Sequence, residues 1–131
     1  VVIDSSALIA MLEEEPPAPR LRAAIQSDPV RLISAASVLE ITCVLSARRG
    51  AGVLPDLSLF LREFNFGVIP FDSAQLEFAQ AAWLRFGRGF HPTRLNFGAC
   101  ASYALAASTG EPLLFAGDDF ARTDIPAVLA P

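Results

Sequence analysis

Lysine is absent from this chain: all ten of its cations are arginine. The absence excludes P-loop nucleotide sites and phosphoacceptor receiver domains, which both set a lysine ammonium against a phosphate. Histidine occurs once, at His91, and no GxSxG stretch supplies a nucleophile elbow, so a Ser-His-Asp hydrolase has little to build with. Cys43 and Cys100 lie far apart and outside any CxxC spacing. That pattern argues for two free thiols in a reducing cytoplasm rather than a disulfide or a zinc ribbon. No uncharged apolar run reaches the ~18–20 residues that span a bilayer, and VVIDSSALIA has no basic n-region of a secretory signal. The expectation is a cytoplasmic protein without a membrane segment.

What remains is 131 residues that are 53% hydrophobic, enough for one domain over 1–131 with an ordinary core. The net charge of −4 disfavours a general polyanion binder. The charge is nevertheless uneven. Between Glu77 and Glu111 there is no acid, and the interval holds Arg85, Arg88, His91 and Arg94. Either these form a solvated helix end and loop, or they steer a phosphate backbone.

Short apolar runs alternate with helical stretches. VVI (1–3), VRLIS (30–34), GVIPF (67–71) and EPLLFAG (111–117) read as strands, and PAVLA near the end as a further short one. Helices are expected over SSALIAMLEEE, capped by Ser5 or Ser6, then over APRLRAAIQS, AASVLEITCVLSARRG, PDLSLFLREFN and SAQLEFAQAAWLRFG. A last helix is expected from the stretch LNFGACASYALA (95–106) to Thr109-Gly110, where Leu95, Phe97, Tyr103 and Leu105 read as core. Strands separated by helices imply right-handed crossovers and an α/β fold: a mainly parallel sheet of four to five strands, flanked by helices on both faces. Sites in such sheets form beyond the carboxyl ends of strands.

That rule singles out three places. Asp4 ends the first strand, where it either caps the next helix or opens a site. Asp118 and Asp119 follow PLLFAG, as turn residues or as functional acids. Glu40 is the one charge between Ile33 and Ala47, with Ala36, Ser37, Cys43 and Val44 as its helical face-mates. A carboxylate on such a face either looks to the surface or lines a cleft. Crowded carboxylates repel, so one is protonated or a cation sits among them. Oxygen ligands without His or Cys select Mg²⁺, with Mn²⁺ as a substitute, over zinc. A divalent ion beside arginines suits phosphodiester hydrolysis. A DxD-type phosphohydrolase fits less well, since Ser6 stands where its second acid belongs.

VVIDSSALIAML, SAASVLEITCVL and GFHPTRLNFGACASYALAASTGEPLLFAGDDFARTDI, taken in order, resemble the PIN-domain ribonucleases, specifically VapC-type toxins of bacterial toxin–antitoxin pairs. The resemblance implies a PIN-like fold and a Mg²⁺-dependent endoribonuclease leaving 5′-phosphate and 3′-hydroxyl ends. It assigns metal-holding roles to Asp4, Glu40 and Asp119, with Asp118 as the alternative last acid, and a hydroxyl near the site to Ser6. The family's third acid falls where this chain has Ala99, in a segment usually reading LNFGDC. An engineered Asp→Ala change that inactivates the nuclease is the implied reading, and a natural pseudoenzyme that binds RNA or an antitoxin without cutting is the alternative. A PIN nuclease directed at DNA or ribosomal RNA would differ in substrate only. Implied partners are an RNA held with help from Arg85, Arg88, His91 and Arg94, a VapB-type antitoxin whose C-terminal segment covers the acidic pocket, and a second toxin copy.

Overall fold

Side chains alternate across a strand, and here that alternation builds two cores. In a computed structural model describing residues 1–129, β1 (Val2–Ile3) sends Val2 to one face of the sheet and Ile3 to the other. β2 (Leu32–Ser34) and β4 (Leu113–Leu114) divide in the same way, with Leu32 and Leu113 on Val2's side and Ile33 and Leu114 on Ile3's. Together with β3 (Gly67–Ile69) they form one four-stranded sheet, all parallel, in the order β3-β2-β1-β4. The chain starts at β1, moves outward to β2 and β3, and returns to the far side of β1. The order therefore reverses between β1 and β4, the place where open parallel sheets set their binding crevices.

Helices α1 (Ser5–Leu12), α2 (Ala18–Ser27), α3 (Ala35–Arg49) and α4 (Val53–Glu63) supply the core on Ile3's side. Leu8, Met11, Ile25, Ile41 and Leu45 are buried there, each contributing about 1.5–3 kcal/mol. Helices α5 (Ser73–Phe86) and α6 (Phe97–Thr109) cover the other side. α3 and α6 also meet directly, through a buried Ser37–Ser102 hydroxyl pair 3.2 Å apart.

Several boundaries differ from expectation. α1 stops at Leu12, before the glutamates, because the chain turns with Glu14 at φ +54° ahead of Pro16 and Pro17. Its N-cap is Asp4, not Ser5 or Ser6, since Asp4 keeps extended backbone while both serines are already helical. α4 begins two residues before Pro55, which still lies in the first turn. The strands are shorter than their apolar runs. PAVLA contributes an isolated parallel bridge between Ala127 and Leu113, and its Ala130 lies outside the described residues. Among the described residues, no helix is long and apolar enough to cross a membrane.

Leu95, Tyr103 and Leu105 are buried as expected, but Phe97 is 84% exposed. Asn96 caps α6, so Phe97 is its first helical residue and projects beyond the layer that buries the later turns. Both cysteines are free, Cys43 exposed and Cys100 buried, and burial pushes the Cys100 thiol up to about 11. At pH 8 Cys100 stays a thiol, and thiolate is the nucleophile. Iodoacetamide is thus expected to alkylate Cys43 quickly and Cys100 only after denaturation; mass spectrometry showing equal rates would refute this.

Candidate active site

Asp4 leaves β1 with its backbone in extended conformation and turns its carboxylate back on α1. Its Oδ2 accepts hydrogen bonds from the Ser6 backbone N–H (3.0 Å) and the Ser6 hydroxyl (2.6 Å). The same Ser6 Oγ accepts from the backbone N–H of Ala116, at 3.1 Å, just after β4. One hydroxyl thus orients Asp4 and ties together the ends of β1 and β4, the strands at the reversal of order. Capping uses Oδ2 alone and leaves Oδ1 buried without a partner.

Glu40 approaches from α3. Burial, and behind it the negative charge of Asp4, raise its carboxyl above the usual range, while the neighbouring Ser5 hydroxyl favours the charged form. Its Oε2 is also buried without a partner. The carboxylate lies on the backbone of Gly98 in α6, so closely that a β-carbon there would overlap it. Ala99, next along and buried, donates its N–H to the Asn96 cap at 2.8 Å. Position 99 therefore adjoins the residue that Glu40 touches, and it presents a methyl group.

Asp119 comes from the loop after β4. Its carboxyl is raised by partial burial first, then by the charges of Asp118 and Asp4. Asp118 and Asp119 are both solvent-exposed. Asp4 is thus the shared neighbour, felt by both Glu40 and Asp119. Among the described residues, no three acid, histidine or cysteine side chains form a group that could hold a metal ion.

The basic segment divides. Arg85 is engaged, bonding Asp124 at 3.0 Å and lying over the Phe86 ring, with Tyr103 donating to the same Asp124 at 2.7 Å. His91 packs edge-on against Phe86 and accepts at Nδ1 from the Thr93 N–H, which makes it a loop staple. Arg88 and Arg94 have no ion-pair partner among the described residues.

A family profile described as PIN domain matches residues 1–126. The chain belongs to the PIN-domain family. This PIN domain is 44% identical to the ribonuclease VapC30 of Mycobacterium tuberculosis over 131 residues, covering all of both chains. It is also 44% identical to the ribonuclease VapC of Mycolicibacterium smegmatis over 128 residues, 98% of this chain and 99% of the relative. Its fold matches the crystal structure of VapC20 of M. tuberculosis, a sarcin-ricin loop cleaving toxin, with a TM-score of 0.77 at 17% identity, over 99% of this chain and 98% of that one. A toxin–antitoxin complex from Klebsiella pneumoniae matches with a TM-score of 0.67 at 17% identity, over 95% of this chain and 92% of that one.

The PIN domain's acids are chemically suited to a hard divalent cation. Two buried carboxylate oxygens, Asp4 Oδ1 and Glu40 Oε2, lack partners, and the other nearby donors are oxygens as well. Two participants escaped the sequence reading: Gly98, whose missing side chain makes room for Glu40, and Ser5, which faces that carboxylate. A glycine in the first turn of an otherwise apolar helix was the available signal for Gly98.

Proposed function

We propose that this chain acts as one PIN domain and is the toxin of a type II toxin–antitoxin pair, a cytoplasmic, divalent-metal-dependent endoribonuclease impaired by Ala99. The observation that carries this reading is a pair of buried carboxylate oxygens, Asp4 Oδ1 and Glu40 Oε2, without hydrogen-bond partners, with the charge of Asp4 felt by both Glu40 and Asp119. Asp4, Glu40 and Asp119 would hold the cation, Mg²⁺ or Mn²⁺, with Asp118 at the outer edge. When bound, the cation supplies charge neutralisation and a more acidic water for attack on a phosphodiester. Ser6 holds Asp4 in place, and Arg88 and Arg94 draw the RNA backbone toward the acids. The relatives' names support ribonuclease chemistry, and the neighbouring toxin–antitoxin complex supports an antitoxin partner. A VapB-type antitoxin segment over the acidic pocket and pairing of two toxin copies complete the proposed assembly.

The incomplete metal group favours one rival reading, a natural pseudoenzyme that binds RNA or antitoxin without cutting. The deciding assay compares this protein with its Ala99→Asp variant on total RNA, in Mg²⁺ and in EDTA. Cutting by the variant alone, abolished by chelator, supports the nuclease. Cutting by neither favours the pseudoenzyme, and equal cutting by both overturns the role of position 99.

A further inference from the structure

We infer that the apolar groove between α5 and α6 is a base-binding subsite, in which Phe97 stacks an unpaired nucleobase of the RNA. The inference rests on the reading of the acidic pocket as an RNA site, and goes beyond it in naming where the base is held. The groove encloses about 580 Å³ and is lined by Ala36, Phe71, Gln80, Trp83, Phe97 and Cys100, among others. Two of its lining residues are close neighbours of the Glu40–Gly98 contact. Ala36 lies one helical turn before Glu40 on α3, and Phe97 immediately precedes Gly98, on which the Glu40 carboxylate rests.

At its other end the groove meets the basic loop. Trp83 makes an edge contact with Phe90, ring centroids 6.5 Å apart, and Phe90 sits between Arg88 and Arg94. Unpaired guanidiniums, an aromatic slot and carboxylates suited to a cation therefore follow one another along a single seam. A single-stranded nucleic acid matches that sequence of chemistries: phosphate on cation, base on aromatic face, phosphate at the metal-holding acids. A purely apolar partner would leave both charged ends of the seam unsatisfied. Phe97 serves no packing role to account for its exposure, and Gln80 brings an amide donor and acceptor within the groove for a base edge.

Trp83 is the only tryptophan, so a base entering the groove is read directly by its fluorescence. The protein is titrated in Mg²⁺ with ten-nucleotide single-stranded RNAs and with an abasic phosphodiester of equal length. RNA is expected to quench Trp83, and Phe97→Ala to weaken RNA binding by about 5- to 100-fold, the range for one lost base–aromatic stack. Phe97→Tyr keeps the affinity, and the abasic oligomer binds both variants alike. Because Phe97 is exposed, Phe97→Ala is expected to melt with the parent, and calorimetry checks that. Unchanged RNA affinity in Phe97→Ala, or an unquenched Trp83, overturns the subsite. So does conversion of a dimer to a monomer by Phe97→Ala at constant RNA affinity, which assigns the groove to self-association. The readout needs no cleavage. An Ala99→Asp variant that cuts RNA without quenching Trp83 defeats the subsite alone, whereas quenching with an inactive variant supports the subsite and defeats the nuclease.

Discussion

With Ala99→Asp in place, cleavage of RNA in Mg²⁺ is expected to rise by about 10²–10⁴-fold over the Ala99 protein. A metal-held charge is worth several kcal/mol in the transition state, and each ~1.4 kcal/mol is tenfold in rate. The substituted residue is the third helical position of α6, beside the glycine that Glu40 touches, so a carboxylate there joins the acids without any backbone change. The same substitution carries a structural cost when no cation is present. Two carboxylates ~4–5 Å apart repel by roughly 3–4 kcal/mol at an effective dielectric near 20. An acid in the first turn of a helix recovers about 0.3–1 kcal/mol from the helix dipole, so repulsion wins. In EDTA the Ala99→Asp variant is therefore expected to melt several degrees below the Ala99 protein, and to regain the difference in Mg²⁺. Calorimetry with and without chelator measures both. Identical melting in EDTA would mean that position 99 lies outside the carboxylates' field.

Gly98→Ala, made together with Ala99→Asp, is expected to abolish most of that gain while leaving the fold intact. The new β-carbon would occupy the space now filled by the Glu40 carboxylate, and the carboxylate, at the end of a flexible side chain, is the group that yields. Alanine also suits a helix better than glycine by up to about 1 kcal/mol, which offsets part of the local crowding. Activity and Mn²⁺ affinity by titration calorimetry should both fall by at least about tenfold, with a melting temperature within a few degrees of Ala99→Asp alone. Full activity in the double variant would show that Glu40 is not held against α6 in the working enzyme.

The two positions differ in how far they could be read from the chain. Asp4, and the Asp118–Asp119 pair, were singled out as candidates because short β-branched or leucine-rich runs end directly before them, and open parallel sheets use those ends. Glu40 stood out as a candidate because it is a lone charge on a face of small residues. Phe97 read as core and Gly98 did not stand out, because periodicity records spacing along a helix and not what lies opposite it. Only the approach of α3 to α6 makes Gly98 a seat for Glu40, and only the position of Phe97 ahead of the buried turns exposes its ring. The arginines show the same limit: Arg85, Arg88 and Arg94 look alike in sequence, yet Arg85 is tied to Asp124.

Local chemistry by itself settled the alternation of strands and helices, the helix ends marked by Gly50, Gly87 and Gly110, and the acids at strand termini, since each depends on neighbours within a turn or two. Tertiary structure alone decided the order β3-β2-β1-β4, which carboxylates share a field, and which apolar side chains stay in water. Those depend on surfaces brought together from distant parts of the chain, and pairwise distance between such parts is not encoded in any local pattern.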